Sequence, residues 1–539
     1  MKKHLIILLS FIAANTLAAQ DSIVARSPVL SYVRQSEAWL ASRNAAGLLL
    51  VPVQKISTAE VFGSRGKGGF VDYYRSADSY EWGADTESYF RLSDRVTLYG
   101  KVRYTNFTGQ DMGGSAFIDP GYNAFDLSET ADSTRGEKNM ETFVLSGSLA
   151  AQLGHGFALG GSVHYRTANY AKYRDLRHTN KLLDLTASGG FTYRTPADGS
   201  FPSLTAGACY IYRRSVEGIT FNMYGTTGKQ YYTLVNFGGF YGNNELWSTS
   251  GSKSYTIDSK PVFNEFHGGS VQLGLQLQNG WSAFGEATLL KRSGYYGKKS
   301  PNTYVFTDHA GTETEALATL AYRHLNALHS LSVRAGKEHL ENFELVSHEE
   351  HTQGNRSSIV YTGKNLMLER DAITVDAEYT GSLDVRNFCP AWQFRAGGSY
   401  RSLNRRVSLY PYYRLQNIRE YSACASAERN IFHGKNQYGL VLGLLYGAGN
   451  GTAKDDRTYV PPSSTQMPPK SQDNLLYREY EYLTAPRIRA NAGISYSRLL
   501  NPAVRGYIRA DGELTIARKI EYLDGRRHVS ATLAIGCIF

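Results

Sequence analysis

His348-Glu349-Glu350-His351 is the most compact cluster of metal-capable side chains in the 539-residue chain. A zinc-protease helix needs histidines at i and i+4 with a glutamate between them. Here the spacing is i and i+3, which excludes that chemistry and leaves two readings, a weak extracellular metal-capture site or simply a solvated acidic loop. Asp308-His309 with Glu313 and Glu315 repeats the pattern in diluted form. His164, set among serines, is the one candidate base for an outer-membrane hydrolase, and the bland alternative for it is a hydrogen-bonded filler. No GxSxG elbow, phosphate loop or dinucleotide fingerprint occurs. These residues predict no enzyme, no resident metal and no cofactor.

Charge placement says more. Lys101, Arg103, Arg166, Arg395, Arg487, Arg489, Arg505, Arg509, Asp376 and Glu378 each sit in the polar register of a segment whose alternate residues are apolar. That period of two is the pattern of a strand with one greasy face. Phe143, Leu145, Gly147 and Leu149 show it, as do Ile373, Val375, Ala377 and Tyr379. In Val271–Leu289 two such runs flank Asn279-Gly280, which predicts a hairpin with a type I′ turn.

About 18 segments of roughly 10 to 15 residues carry the pattern, the length of a tilted strand crossing a bilayer. The count ranges from 16 to 20, because SYFRLSDRVTLY (from Ser88), SYRSLNRRVSLY (from Ser399) and SYSRLLNPAVRGY (from Ser495) look alike. If all three turned on one side, two further strands would lie between 358 and 480. Tight turns such as Ser93-Asp94 alternate with long polar stretches at 109–138, 217–265, 343–369 and 449–482. The last contains VPPSSTQMPPKSQDN and is expected to be mobile.

An Arg or Lys facing lipid at mid-membrane costs about 2–4 kcal/mol, so the ten charged residues are expected to face a lumen. Tyr89, Phe90, Tyr104, Tyr165, Tyr193, Tyr379, Tyr400 and Tyr496, near strand ends, are expected in the headgroup zone. The expected fold is all-β: a transmembrane antiparallel barrel with a short N-terminal periplasmic segment.

Composition agrees. The chain holds 39 Tyr, 23 Phe and 53 Gly, and its mean hydropathy of −0.36 leaves no room for helical spans. Lys2 and Lys3, the apolar run from Leu5 to Ala14, and Leu17-Ala18-Ala19 read as a signal peptide over residues 1–19. Residues 20–55 would then be the periplasmic segment and 56–539 the barrel, placed in a Gram-negative outer membrane. A net charge of +10, spread along the chain, does not form a nucleic-acid-binding patch. Four distant cysteines suggest at most one bridge, Cys389 to Cys424. Leu533, Ile535, Cys537 and Phe539 form an alternating terminal strand ending in an aromatic, the expected signal for the outer-membrane insertion machinery.

Trp39 and Ser42-Arg43-Asn44-Ala45-Ala46-Gly47-Leu48, with the strand repertoire and the terminal Phe, resemble an uncharacterised family of Bacteroidota outer-membrane barrels, a domain of unknown function. The resemblance implies a barrel and no activity, with a TonB-dependent uptake system as a candidate companion. Residues 31–46 are expected either as a short amphipathic helix ended by Gly47, with Trp39 and Leu40 buried in the periplasmic mouth, or as a disordered leader. Only 36 residues, Gln20 to Lys55, precede the first strand, too few for an independently folded plug domain. The expected function is transport-related: a solute channel or the membrane component of an uptake complex. The alternatives are a non-conducting assembly partner acting through the loops at 217–265 and 449–482, and the hydrolase.

Overall fold

The computed structural model describes residues 26–129, 134–195, 202–223, 230–248, 260–300, 303–352 and 356–539; the signal peptide expected at 1–19 lies outside them. The strands in chain order begin with β1 (Lys55–Lys67), β2 (Asp78–Ser93), β3 (Val96–Met112), β4 (Asp126–Glu129), β5 (Gly136–Gly154), β6 (Phe157–Lys172), β7 (Arg177–Arg194) and β8 (Ser203–Asn222). Then come β9 (Gln230–Asn236), β10 (Tyr241–Ser248), β11 (Lys260–Gln276), β12 (Trp281–Ser300), β13 (Thr303–His324), β14 (Ala327–Thr352) and β15 (Arg356–Leu383). The chain finishes with β16 (Trp392–Leu409), β17 (Tyr412–His433), β18 (Asn436–Thr458), β19 (Lys470–Ser471), β20 (Arg487–Asn501), β21 (Val504–Ala517) and β22 (Arg527–Ile538).

Eighteen of these form one antiparallel sheet, which closes where β22 pairs with β1. Closure leaves no free edge, so every spanning backbone group finds a partner within the wall. Phe539 extends the seam: its N–H donates to Ser57 O at 2.9 Å and its carbonyl accepts from Ser57 N–H at 2.8 Å.

The pleat sorts the side chains. Val61 lies opposite Ile535, and the two are 58% and 54% exposed on the outside of the barrel. One residue away, Glu60, Asp85, Arg103, Val144, Arg166 and Asp184 lie opposite one another in a row around the inside. A one-residue slip would exchange these rows, so lipid and lumen together fix the register.

The three look-alike segments do not turn on one side. Turns after β2 and β20 lie at the end where β1 begins and β22 finishes, the periplasmic end by the short-turn rule. The middle segment instead runs straight through β16 to a turn at Tyr410-Pro411 on the opposite end. No extra strand pair is needed.

Four expectations are corrected. Residues 343–369 are not a loop, because β14 and β15 stay paired to their tips over 26 and 28 residues. Beyond the rim both faces are wet, so the apolar alternation fades while the backbone pairing persists. The β11–β12 connection has a single left-handed residue, Gly280 (φ +86), and Leu277 N–H bonds Trp281 O at 2.8 Å. It is therefore a wider turn than type I′, which needs two positive φ values. Tyr89 points inward at 4% exposure and packs against Tyr99 with the rings tilted, 4.7 Å between centroids. Residues 31–46 form no single helix: α1 (Leu30–Gln35) is followed by 3₁₀ turns at Ala38–Ala41 and Ala45–Leu50.

Both ends of the barrel are filled. From the periplasmic end, residues 26–54 fold into the lumen, where Val33, Leu48 and Val51 pack with Ile56 and Tyr89. From the outer end, β4, β9, β10 and β19 make a second sheet across the mouth, in the order β19-β10-β9-β4. Helix α2 (Asp473–Thr484) lies on it, joined through Leu234, Phe240 and Leu476. The loops expected to contact another protein thus pair with each other in their described parts, as at Tyr241 and Ser471.

Candidate functional site: an arginine collar in a lumen closed at both ends

The inner closure is seated by fit and by polar bonds. Gly160 on β6 and Gly274 on β11 face the lumen where Ala45-Ala46 and the Trp39 indole pass; a Cβ at either position would collide with them. Trp39 meets Phe284 edge-on at 5.0 Å. Asn44 is 1% exposed, and its Nδ2 donates to Phe191 O at 2.9 Å and Gln272 Oε1 at 3.0 Å while its Oδ1 accepts from Ala46 N–H. Arg43 N–H donates to Glu286, and its guanidinium pairs with Glu315 at 2.5 Å. Arg34 pairs with Glu87, and Arg91 donates to the carbonyls of Leu49 and Val51. A cavity of about 550 Å³ remains beside this segment, lined by Glu37, Trp39, Arg194 and Arg323 among others.

The outer closure is held by charged side chains at its rim. Arg414, 1% exposed, forks onto Asp456 at 2.6 and 2.8 Å, donates to Gly239 O and covers the Tyr241 ring. Arg405 on β16 pairs with Glu479 of α2 at 2.9 Å. Glu129 of β4 is bracketed by Lys138 and Lys172 at 3.3 and 2.6 Å. Beside Glu479 lies Asp72, whose carboxyl is pushed up to about 7 by desolvation first and then by the Glu479 charge. Asp524 is held below the usual range by its hydrogen bond to Arg478.

Between the closures, the loop after β3 sends its tip, Asp119–Ala124, down against the wall. Arg166 pairs with Asp119 at 2.7 Å. Arg292 donates to Tyr122 O at 2.8 Å, and Arg370 donates to the carbonyls of Gly121 and Asn123 at 3.0 Å each. The Tyr122 ring lies 4.9 Å from the Arg213 guanidinium, 4.6 Å from that of Arg292, and stacks on Phe266. Strands β6, β8, β12 and β15 thus each send an arginine to one loop tip. Such a collar can hold carboxylates, carbonyls and an aromatic ring together.

The remaining charged candidates lie in the inward rows and form local pairs. Lys101 approaches Asp85 and Glu87 at 3.4 and 3.3 Å, and Arg103 approaches Asp85 at 3.8 Å. Arg487 pairs with Glu420, Arg489 with Glu513 at 3.3 Å, and Arg509 with Asp511 at 2.8 Å. Arg395 donates to Gln393, Arg505 to Ser27 and Ser497, and Thr380 to Glu378. Asp376 lies opposite Arg334, which pairs with Glu315 instead. Leu533 and Ile535 point outward with Cys537 in the same row, and Phe539 closes the seam.

The metal candidates do not assemble. His348 and His351 lie on β14, not a loop, and His348 contacts Glu350 at 3.2 Å. Asp308 and His309 are likewise adjacent on β13, with His309 turned inward onto Asn264 at 2.9 Å. Among the described residues no group of three metal-capable side chains converges. All four cysteines are free, so Cys389 and Cys424 are not bridged. Ser146 Oγ lies 2.8 Å from His164 Nδ1, but the nearby Asp184 is forked onto Arg213 at 3.0 and 2.6 Å and does not orient the imidazole.

Sequence reading missed Arg213, Arg292 and Arg370. Arg213 adjoins Arg214 and Arg292 adjoins Lys291, so charge alone could not say which member of each pair faces inward. Arg370 abuts the stretch read as loop. The signal available was the parity of Cys209, Ile211 and Arg213 once β8 had been placed.

Residues 45–539 match a family whose description is a family of unknown function, DUF6850. The chain belongs to that family. No curated protein matches this DUF6850 member. Among solved structures it is similar to BauA, the ferric preacinetobactin receptor from Acinetobacter baumannii, at 9% identity over 89% of this chain and 79% of that one, with a TM-score of 0.38. It is also similar to the ferric citrate transporter FecA, unliganded, at 9% identity over 90% and 79%, with a TM-score of 0.39. The RagAB peptide transporter is similar at 8% identity over 90% and 75%, with a TM-score of 0.41. The barrel assignment for DUF6850 rests on the strand pairing described above.

Proposed function

We infer that this chain is a transport-related outer-membrane barrel whose lumen is gated from both ends. The observation that carries the reading is the inner seat. A wall that only needed filling would carry large side chains, whereas this one keeps glycine at Gly160 and Gly274 and spends buried polar groups on a removable 29-residue strap, residues 26–54. The paired charges of the inner rows suit a hydrated passage, with a mild basic excess favouring anions.

Residues 1–19 are proposed as a cleaved signal, 20–55 as the periplasmic segment and 56–539 as the barrel. Leu533, Ile535, Cys537 and Phe539 would be read by the insertion machinery in a Gram-negative outer membrane of the Bacteroidota type. Release of the strap from the periplasmic side would suit a TonB-dependent uptake system as partner. No enzymatic role is proposed, since among the described residues the Ser146–His164 pair has no carboxylate bonded behind it.

Planar-bilayer recording tests this. The intact protein is expected to be silent or nearly so, and a variant with the strap released by Gly160→Leu and the outer closure unpinned by Arg405→Gln and Arg414→Gln to conduct. A barrel opened in this way at both ends that stays silent would refute gating and favour the second reading, a non-conducting assembly partner, which the closure of both ends supports.

A further inference from the structure

We propose that the arginine collar is a binding site for a short peptide bearing an aromatic side chain and a carboxylate, and that the loop tip Asp119–Ala124 occupies it as an internal stand-in. The tip offers each chemical element of such a ligand. Asp119 gives a carboxylate to Arg166, Gly121 to Asn123 give consecutive carbonyls to Arg292 and Arg370, and Tyr122 gives a ring to the slot made by Arg213, Arg292 and Phe266.

The tip does not saturate the collar. Arg292 is 3% exposed, its Nη1 has no hydrogen-bond partner, and its other nitrogens meet only neutral oxygens, those of Asn264 and Tyr122. Arg213 and Arg370 already have Asp184 and Glu338 as counter-ions. Glu338 and Glu313 are near enough to act on Arg292 but neither is bonded to it; a buried guanidinium with no carboxylate in contact is costly, and the vacant Nη1 is where it would donate to an incoming carboxylate. The Tyr122 hydroxyl and His309 Nδ1 are also buried without a partner in the same place. Gly121 is exposed, with open space where a side chain would begin, so the tip borders free lumen rather than packed wall.

The proposal rests on the transport reading for its purpose. Binding needs entry to the collar and not passage through the barrel, so a silent bilayer and an absent ligand are separate results. The test is calorimetry on the full-length protein in detergent, with Asn44→Leu in the background of every sample so that the strap does not bar the peptide. Its probes are Pro-Gly-Tyr-Asn-Ala with a free carboxylate, the same peptide amidated at its C-terminus, and Pro-Gly-Ala-Asn-Ala. The free acid is expected to bind about tenfold tighter than the amide, and the alanine peptide to bind weakest. Arg292→Gln should abolish the acid–amide difference. Tyr122→Ala should strengthen binding of the free acid, because the internal competitor is weakened. Equal binding of acid and amide, or no saturable binding to both the Asn44→Leu protein and its Tyr122→Ala variant, overturns the proposal. Should Arg292→Gln fail to assemble, the acid–amide comparison on Tyr122→Ala decides alone.

Discussion

Asn44 and Gln272, 228 positions apart, share a buried hydrogen bond of 3.0 Å that pins the N-terminal strap to the barrel wall. Asn44 also takes the carbonyls of Phe191 and Ala208, one from β7 and one from β8, so a single side chain joins the strap to two strands and to β11 through Gln272. Replacing it removes those bonds at once and takes from Gln272 Oε1 and Ala46 N–H the partner that Asn44 supplied.

Asn44→Leu is therefore expected to weaken docking of the strap by about 1–3 kcal/mol, the cost of stranding buried polar groups. Since about 1.4 kcal/mol is tenfold in population, proteolysis within residues 26–54 should accelerate about tenfold or more. The migration of the folded barrel on gels should be unchanged, because Asn44 belongs to no strand.

Gly160→Leu attacks the same seat by volume. Ala45-Ala46 passes so close to Gly160 that any side chain must displace it. The expected result is a barrel that folds with its strap expelled and residues 26–54 open to protease. A Gly160→Leu barrel with a protected strap would mean that the wall yields instead.

Much of this architecture was legible in the sequence, and the reason is physical. Lipid outside and polar lumen inside impose opposite demands on adjacent residues, so Phe143, Leu145 and Leu149 announce their strand without further context. Where both faces are wet, as in the tips of β14 and β15, that contrast vanishes and residues 343–369 read as a loop. The closures were opaque for another reason. Asp119–Ala124 and Ala45-Ala46 are defined by what they touch, and their contacts are with residues such as Arg370 and Gly160 that lie more than a hundred positions away.

Removing Phe539 tests the seam. Its two backbone hydrogen bonds with Ser57 tie the last residue to the start of β1, and Lys55 covers its ring at 5.3 Å. Deletion is expected to cut the yield of assembled barrel in the outer membrane while leaving lumen pairs such as Arg489–Glu513 intact in the molecules that do assemble. Heat-modifiable mobility on gels measures the assembled fraction.

Protons should loosen or tighten the outer closure through Asp72, in the loop between β1 and β2. Its carboxyl is pushed up to about 7 in the closed form, by desolvation and then by the Glu479 charge, against bonds from Tyr73 N–H and the attraction of Arg75 and Arg405 that pull the other way. In an open, hydrated loop it would titrate near its ordinary value of 3.8. Between those two values the closed form holds the extra proton, so closure is fully favoured below about pH 4 and loses stability as pH climbs to about 7, above which the loss is complete. Hydrogen exchange over residues 68–77 and 473–484 is expected to quicken between pH 4 and pH 7 beyond the intrinsic rate change. Asp72→Asn, which cannot ionise, should flatten that dependence. An Asp72→Asn protein with the same steep pH profile as the parent would assign the titration to another group.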